Sequence, residues 1–199
     1  MRPAFATLSL FCALALHAQA PEPAFFKDDP RKVMLFCAER ARALDPHKEL
    51  VLARAGRAHL AAGDLVGAKA LFQMCQVGHA DTQLRVGQAW LEAGDLPLAM
   101  DTFSRITARD PYAKNQLAEA AVLVMDSGHP QEAGSLMNQA YQLAPGDWQN
   151  ANAFARACLR QQHSDLAAEW FAKAVIKNRK EEEFWMDTAH SLADHGVEE

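Results

Sequence analysis

The sequence predicts an all-α protein made of repeated pairs of antiparallel helices, with about ten helices in all. The first observation is a pattern of small and large apolar residues that recurs about every 34 residues over most of the 199-residue chain. The second is that 10 glycines and 9 prolines are few, which indicates long elements rather than a β fold with many turns. The third is that half of the residues are hydrophobic, which excludes disorder throughout the chain.

The repeat is centred on four turn residues that are 31, 34 and 34 residues apart. Two helices joined by a tight turn cross at close range, so small residues are expected where their backbones meet. A large apolar residue then fills the hole between one helix pair and the next. Glycine at the turn adopts a positive φ and ends the first helix. The turn residues are Gly63, Gly94, Gly128 and Gln162; the small residues seven positions earlier are Gly56, Gly87, Ala121 and Ala155; the alanines five positions later are Ala68, Ala99, Ala133 and Ala167; and the large residues nine positions later are Phe72, Phe103, Met137 and Phe171.

The register of this repeat predicts each element in order. A partial repeat over residues 30–46 is a second helix, which starts at Asp29-Pro30 with an N-cap and a first-turn proline and stops at Asp45-Pro46. Full repeats follow at about residues 49–79, 80–113, 114–147 and 148–181, and a terminal helix spans 182–195. Second helices are expected to be capped at Asp64 and Asp95 and stopped at Pro111 and Pro145.

Two features depart from a uniform array. The first full repeat lacks three residues near Gly78, which predicts a short second helix or a tight exit loop. The terminal helix, with Ala189 and Gly196 at the small and turn positions, lacks a second helix. Its outer face is predicted to be polar enough to serve as an end cap, with Glu182, Glu183, Asp187 and Asp194.

Residues 1–20 are predicted to be a secretory signal peptide. Arg2 precedes an apolar stretch of about 13 residues, which is too short to span a bilayer, where roughly 20 are needed. Ala18-Gln19-Ala20 matches the small-x-small cleavage pattern, although Pro21 disfavours that cut and leaves cleavage after Ala18 as the alternative. We therefore expect a periplasmic or secreted protein.

The flanks of this segment complete the N-terminal prediction. Cys12 is preceded by Phe11 rather than by a small residue, so a lipid anchor is disfavoured, and no integral membrane span is expected. Residues 21–29 form a loose lead-in, with Phe25 and Phe26 packing on the first helix.

From about Pro30 to Glu199 the chain resembles the tetratricopeptide repeat family, whose unit is a 34-residue helix-turn-helix. The aromatic residue usual in the first helix of that family is present as Trp90 but is replaced by His59, Val124 and Cys158 in the other repeats. The resemblance implies a right-handed superhelical solenoid. It also implies a concave groove, lined by the first helices, that holds a partner peptide or helix.

Transferred position by position, the resemblance predicts the partner-binding residues of this groove. Its apolar floor and the basic end at Arg156 favour a partner segment with an apolar stripe and an acidic end. The carboxylate clamp of chaperone-binding family members is disfavoured because Ala53/Arg57 and Leu84/Gln88 stand where a Lys/Asn clamp is needed. The predicted partner-binding residues are Arg57, Leu84, Gln88, Leu91, Val122, Met125, Asn152, Arg156 and Arg160.

Other classes of function have little support in the sequence. A net charge of −5 argues against nucleic-acid binding. The histidines and cysteines follow no recognised metal or haem spacing and no Ser/His/Asp or Cys/His nucleophile pattern, so we expect no cofactor, metal or enzymatic activity. Cys37, Cys75 and Cys158 are expected to be buried as small apolar residues, with a Cys37–Cys75 bridge as the alternative. The alternative to peptide binding is a structural subunit that associates with copies of itself.

Overall fold

The computed structural model describes residues 23–75, 78–110, 112–178 and 180–194, and over these ranges the protein is all-α. The predicted signal peptide, Met1–Ala20, and the turn match at Gly196 lie outside the described residues, so both stay predictions. A short 3₁₀ helix, Pro23–Lys27, precedes the α-helices. These are α1 (Pro30–Leu44), α2 (Glu49–Ala61), α3 (Leu65–Met74), α4 (Ala80–Glu92), α5 (Leu96–Arg109), α6 (Lys114–Asp126), α7 (Pro130–Leu143), α8 (Trp148–Arg160), α9 (Ser164–Asn178) and α10 (Glu182–Asp194).

The chain divides into two compact units, residues 1–76 and 77–199. In the first unit α2 and α3 form an antiparallel hairpin, and α1 packs against α2. The ring of Phe25 lies 4.7 Å from that of Phe36, so the lead-in packs on α1 as predicted, whereas Phe26 is 56% exposed. Helix α1 itself contributes no buried residue.

The second unit contains three hairpins, α4–α5, α6–α7 and α8–α9, followed by α10. Its first helices pack side by side in the order α4, α6, α8, and α10 continues the row against α8. The core consists largely of alanines with large residues between them, including Phe103, Phe154 and Trp170. The predicted all-α fold of ten helices in antiparallel pairs is confirmed.

The turns inside the hairpins have the predicted backbone conformation. Gly63, Gly94 and Gly128 have φ values of 85°, 79° and 83°, and Gln162 adopts the same left-handed conformation at 61°. The aspartates that follow the first two turns cap the next helices, since Asp64 accepts from Gly67 N–H and Asp95 from Leu98 N–H. Each hairpin therefore ends its first helix and starts its second within three residues.

The small residues of the first helices are where the paired helices touch. A Cβ atom placed on Gly87 would overlap the ring of Phe103, with Cδ1 only 2.6 Å away, and one on Gly56 would overlap the ring of Phe72. Phe103 is fully buried and Phe72 is 5% exposed, so neither ring has free space to move into. The large apolar residue was predicted to fill the hole between successive helix pairs, but Phe72 and Phe103 instead press on the small residue of their own pair.

Two end features were predicted with different success. Helix α3 has 10 residues, against 14 in α5, which confirms the expected shortening of the first full repeat. On the terminal helix Glu182, Glu183 and Asp194 are exposed as predicted, but the outer face is not uniformly polar, because Trp185, Met186 and Leu192 of α10 are 47%, 52% and 40% exposed. Phe184 and Ser191 take the buried face of α10. Trp185 and Leu192, the next residues in sequence, are therefore exposed.

Substitution of Gly87 by alanine is expected to lower the free energy of unfolding by about 1–3 kcal/mol, because the added methyl group overlaps Phe103 in a filled core. Gly134→Ala is the matched control. Gly134 lies within α7, and a Cβ atom there meets nothing within 4 Å. The higher helix propensity of alanine should therefore raise the free energy of unfolding by about 0.5–1 kcal/mol. Urea unfolding followed by circular dichroism measures both. Equal effects of the two substitutions would contradict the close helix contact.

Candidate functional site

The predicted partner-binding residues differ widely in exposure. Leu84, Met125 and Asn152 are 1%, 0% and 2% exposed, respectively. The prediction that Leu84 and Met125 line a groove surface is therefore wrong, because both side chains are part of the core. Half-buried positions are Gln88, Leu91 and Val122, and exposed positions are Arg57, Arg156 and Arg160, of which Arg57 belongs to the first unit.

A series of polar contacts joins equivalent positions of successive first helices in the second unit. We call this series the first-helix ladder; each contact spans 34 or 35 residues, that is, one repeat. Side chains of α4 bind side chains of α6, and side chains of α6 bind side chains of α8. Its members are Gln116 Nε2 to Asp81 Oδ1 at 2.9 Å, Arg85 Nη1 to Glu119 Oε1 at 3.1 Å, Asn150 Nδ2 to Asn115 Oδ1 at 2.9 Å, and Arg160 Nη2 to Asp126 Oδ2 at 2.8 Å.

The ladder occupies polar groups that the sequence presented as available to a partner. Arg160 donates from Nε and Nη2 to Asp126, so its positive charge is already matched. Gln88 accepts from Arg85 and donates to Glu92. Both partners of the Arg160–Asp126 pair are more than a third exposed, and such pairs add little stability. A ligand at either position would have to compete with these internal hydrogen bonds.

A pocket of about 180 Å³ lies between α8 and α10. Its position is fixed by the packing of α10 on α8, where the fully buried ring of Phe184 meets Trp148 edge to face, 5.9 Å between centroids. The walls bring together one guanidinium, two carboxylates, two amides and an indole ring. The lining residues are Trp148, Gln149, Asn152, Ala153 and Arg156 of α8, and Glu183 and Asp187 of α10.

Two residues of the pocket have unused polar groups. The Oδ1 atom of Asn152 is buried and has no hydrogen-bond partner in the described parts of the chain. An unsatisfied buried polar atom of this kind costs about 1–3 kcal/mol. Arg156 is exposed and, within the same described ranges, makes no hydrogen bond or ion pair. Of the nine predicted residues, Asn152 and Arg156 are the two that the fold brings together in this pocket.

Sequence reasoning missed Trp148, Glu183 and Asp187 as members of the pocket. Glu183 and Asp187 were interpreted as the solvent face of an end cap, but their helix packs with this face towards α8. Their spacing of four residues places both carboxylates on one side of α10. That spacing was readable from the sequence, whereas the helix that this side would face was not.

The thiols give no sign of catalytic chemistry. Cys75 and Cys158 are buried as predicted, whereas the predicted burial of Cys37 is wrong, because its side chain is exposed. All three thiols are free, so the alternative of a Cys37–Cys75 bridge is also wrong. Burial, together with the charge of Glu49, raises the pKa of Cys75 to about 11. Burial also raises the pKa of Cys158 to about 12. A thiol with such a pKa is a poor nucleophile at neutral pH.

Among the described residues, no group of three or more histidine, cysteine, aspartate or glutamate side chains is arranged to hold a metal ion. None of the helices described is both long enough and apolar enough to cross a bilayer.

The fold and this pocket define a helical-repeat protein whose unit is a pair of antiparallel helices. No protein-family model and no curated protein matches the chain. Two crystal structures of MamA are similar to it. One has a TM-score of 0.46 and 16% sequence identity, covering 75% of this chain and 89% of that one. The other has a TM-score of 0.47 and 16% identity, covering 75% and 83%.

In the native chain at pH 8, iodoacetamide is expected to alkylate Cys37 about tenfold faster, or more, than Cys75 or Cys158. The two slower thiols are buried and have raised pKa values, so little reactive thiolate is present and accessible at either. Peptide mass mapping of a time course measures the three rates separately. In 8 M urea, as the control, the rates should converge. Comparable rates in the native protein would show that the two thiols are accessible.

Proposed function

We propose that this chain is a tetratricopeptide-like protein-interaction module that binds a segment of a partner protein without carrying out a reaction on it. The observation that carries the proposal is the α8–α10 pocket, where Asn152 and Arg156 have polar groups that no other described residue uses. Val122, half-buried one repeat before Arg156 on the first helix α6, offers apolar area on the helix that packs against α8.

The chemistry of the pocket suggests what the partner segment presents. A side-chain amide can both donate and accept, so Asn152 matches a peptide main-chain group, which does the same. Arg156 suits a carboxylate, while Glu183 and Asp187 favour N–H donors and repel a second acid. We therefore refine the expected acidic end to a single carboxylate beside Arg156 with neutral or basic neighbours. This binding would leave the ladder pairs intact, because none of them involves Arg156.

The partner class can be tested by selecting binders from a library of random peptides displayed on phage, with the full chain immobilised. Peptides that are enriched are then synthesised, and their affinity is measured by fluorescence anisotropy. Arg156→Ala should weaken binding at least about tenfold, since it removes the pairing charge of the pocket. Arg105→Ala is the charge-matched control, because Arg105 pairs with Asp101 on the second helix α5 and is remote from the pocket lining.

Two outcomes would contradict the proposed function. A library that enriches no peptide over an empty support would argue against peptide binding. Enriched peptides that bind the Arg156→Ala and Arg105→Ala proteins equally well would remove the pocket as the binding site. Circular dichroism of both variants confirms that they are folded before affinities are compared.

The exposed apolar face of α10 favours a second candidate, self-association as a structural subunit. Met186 and Leu192 lie on this face and are about half exposed, an arrangement that is costly in water and typical of a covered surface. The two candidates use different sides of the same helix, because Glu183 and Asp187 line the pocket.

If the α10 face joins two copies, the wild-type chain should show a concentration-dependent mass in sedimentation equilibrium between about 1 and 100 μM. The double substitution Met186→Glu and Leu192→Glu should keep it monomeric, because association would bury the added charges without partners. Gln139→Glu and Gln142→Glu on α7 are the matched control for added charge, since both positions are exposed. A wild-type chain that is monomeric throughout this range would exclude the subunit model.

A further inference from the structure

A histidine of the first unit lies between two carboxylates. His59, on α2, has a side chain that is 14% exposed. Its Nδ1 is 2.7 Å from Asp64 Oδ2, in the turn between α2 and α3, and its Nε2 is 3.0 Å from Glu39 Oε1, on α1. We call these three residues the His59 cluster. Because a carboxylate only accepts, both contacts are hydrogen bonds at once only when the ring carries two protons.

The other hairpins place different residues in the same position. A backbone hydrogen bond defines this position in all four described hairpins. The carbonyl of the residue at this position accepts from the N–H five residues later, as the His59 carbonyl does from Asp64 N–H. The equivalent pairs are Trp90 and Asp95, Val124 and His129, and Cys158 and His163. Trp90, Val124 and Cys158 are 6%, 0% and 0% exposed. The first hairpin is therefore the one of the four described hairpins that has an imidazole at this position, in place of an apolar side chain or a buried thiol.

The turn is shaped around the His59–Asp64 contact. A Cβ atom on Gly67 would overlap Asp64 Oδ2 and lie 2.6 Å from His59 Nδ1. Asp64 is also held by its N-cap hydrogen bond from Gly67 N–H, at 2.9 Å. Its carboxylate therefore has little freedom to move away from the ring.

Glu39, in contrast, has a second partner on its own helix. Its Oε2 accepts from Arg42 Nε at 2.9 Å and from Nη2 at 2.5 Å. A neutral histidine ring keeps one N–H and turns a lone pair towards the other carboxylate, which is repulsive. Because Asp64 is held by the cap and Glu39 is held by Arg42, the contact to Glu39 is the one that should open.

The side chains of helix α1 are at most half-buried. None of its residues is buried, and Leu44 at its end is 74% exposed. Helices that bury little surface are stabilised mainly by their tertiary contacts and open at low cost. Loss of the Glu39–His59 contact therefore bears directly on whether α1 stays on the hairpin.

We propose that the His59 cluster is a pH-sensitive contact, which holds α1 on the α2–α3 hairpin while the ring is protonated and loosens α1 when the ring loses a proton. The charged groups that act on the ring are Glu39 from α1 and Asp64 from the turn. Arg42 acts on the ring through Glu39.

The electrostatics give the direction of the response. Burial disfavours the charged ring and is the largest single effect, but hydrogen bonds to Asp64 and Glu39 and their charges together raise the pKa of His59 above 6.5. The contact is therefore complete below pH 6.5 and is lost as the pH rises through the raised pKa. Burial acts against the ionised form of Glu39, yet Arg42 and His59 lower its pKa below 4.5. The attachment should be strongest between about pH 4.5 and 6.5.

Hydrogen exchange of the full chain, corrected for the intrinsic effect of pH, tests the proposal. Between pH 6 and pH 9 the protection of the α1 amides should fall, tenfold for each unit by which the contact with Glu39 raises the pKa of His59. Amides of α6, in the second unit, are the internal reference and should not change. In His59→Phe, which puts an apolar ring where the second hairpin has Trp90, the protection of α1 should not depend on pH.

Two conservative variants keep the test decisive if His59→Phe does not fold. Glu39→Gln should lower the pKa of His59, read from the ¹³C shift of its ring, and move the loss of α1 protection to lower pH. Asp64→Asn should also lower that pKa while keeping a good N-cap residue. The proposal is overturned if α1 protection in the wild type is constant from pH 6 to 9. It is likewise overturned if the ring of His59 titrates at or below 6.5.

Discussion

The close approach of paired helices, made possible by a small residue facing a large ring, is the constraint on which the rest of the structure depends. Gly56 and Gly87 receive the rings of Phe72 and Phe103 with no room for a side chain of their own. Helices of 10 to 15 residues are marginally stable alone, so they persist because these contacts bury apolar surface. Every later feature, from the ladder to the pocket, uses helix positions that this contact sets.

The repeat also organises the polar surface. Once first helices pack side by side, residues one repeat apart face each other, and complementary pairs such as Asp126 and Arg160 form. The 34-residue period was visible in the sequence, and the spacing of these pairs with it. The pairing is not visible when each residue is taken alone as a possible contact to a partner. Among the described arginines on first helices of the second unit, Arg85 and Arg160 pair with carboxylates of the neighbouring repeat, whereas Arg156 has no such partner.

The candidate site could be predicted only in part. Asn152 and Arg156 were identified because their repeat position marks the first-helix face, and both line the pocket. Leu84 and Met125 were misplaced because an apolar residue near the edge of a helix face suits either a groove or a core. The rotation of each helix by a few tens of degrees decides between the two. That rotation is set by neighbouring side chains far away in the sequence.

The sequence by itself determined the fold class, the shortening of α3 and the left-handed turns. These depend on local chemistry, that is, on helix caps, backbone freedom and the period of small and apolar residues. Only the tertiary structure decided which side of α10 faces α8, which polar residues are already paired, and that His59 lies between Glu39 and Asp64. These depend on side chains that meet across helices, and a one-dimensional pattern carries no information on their rotation or distance.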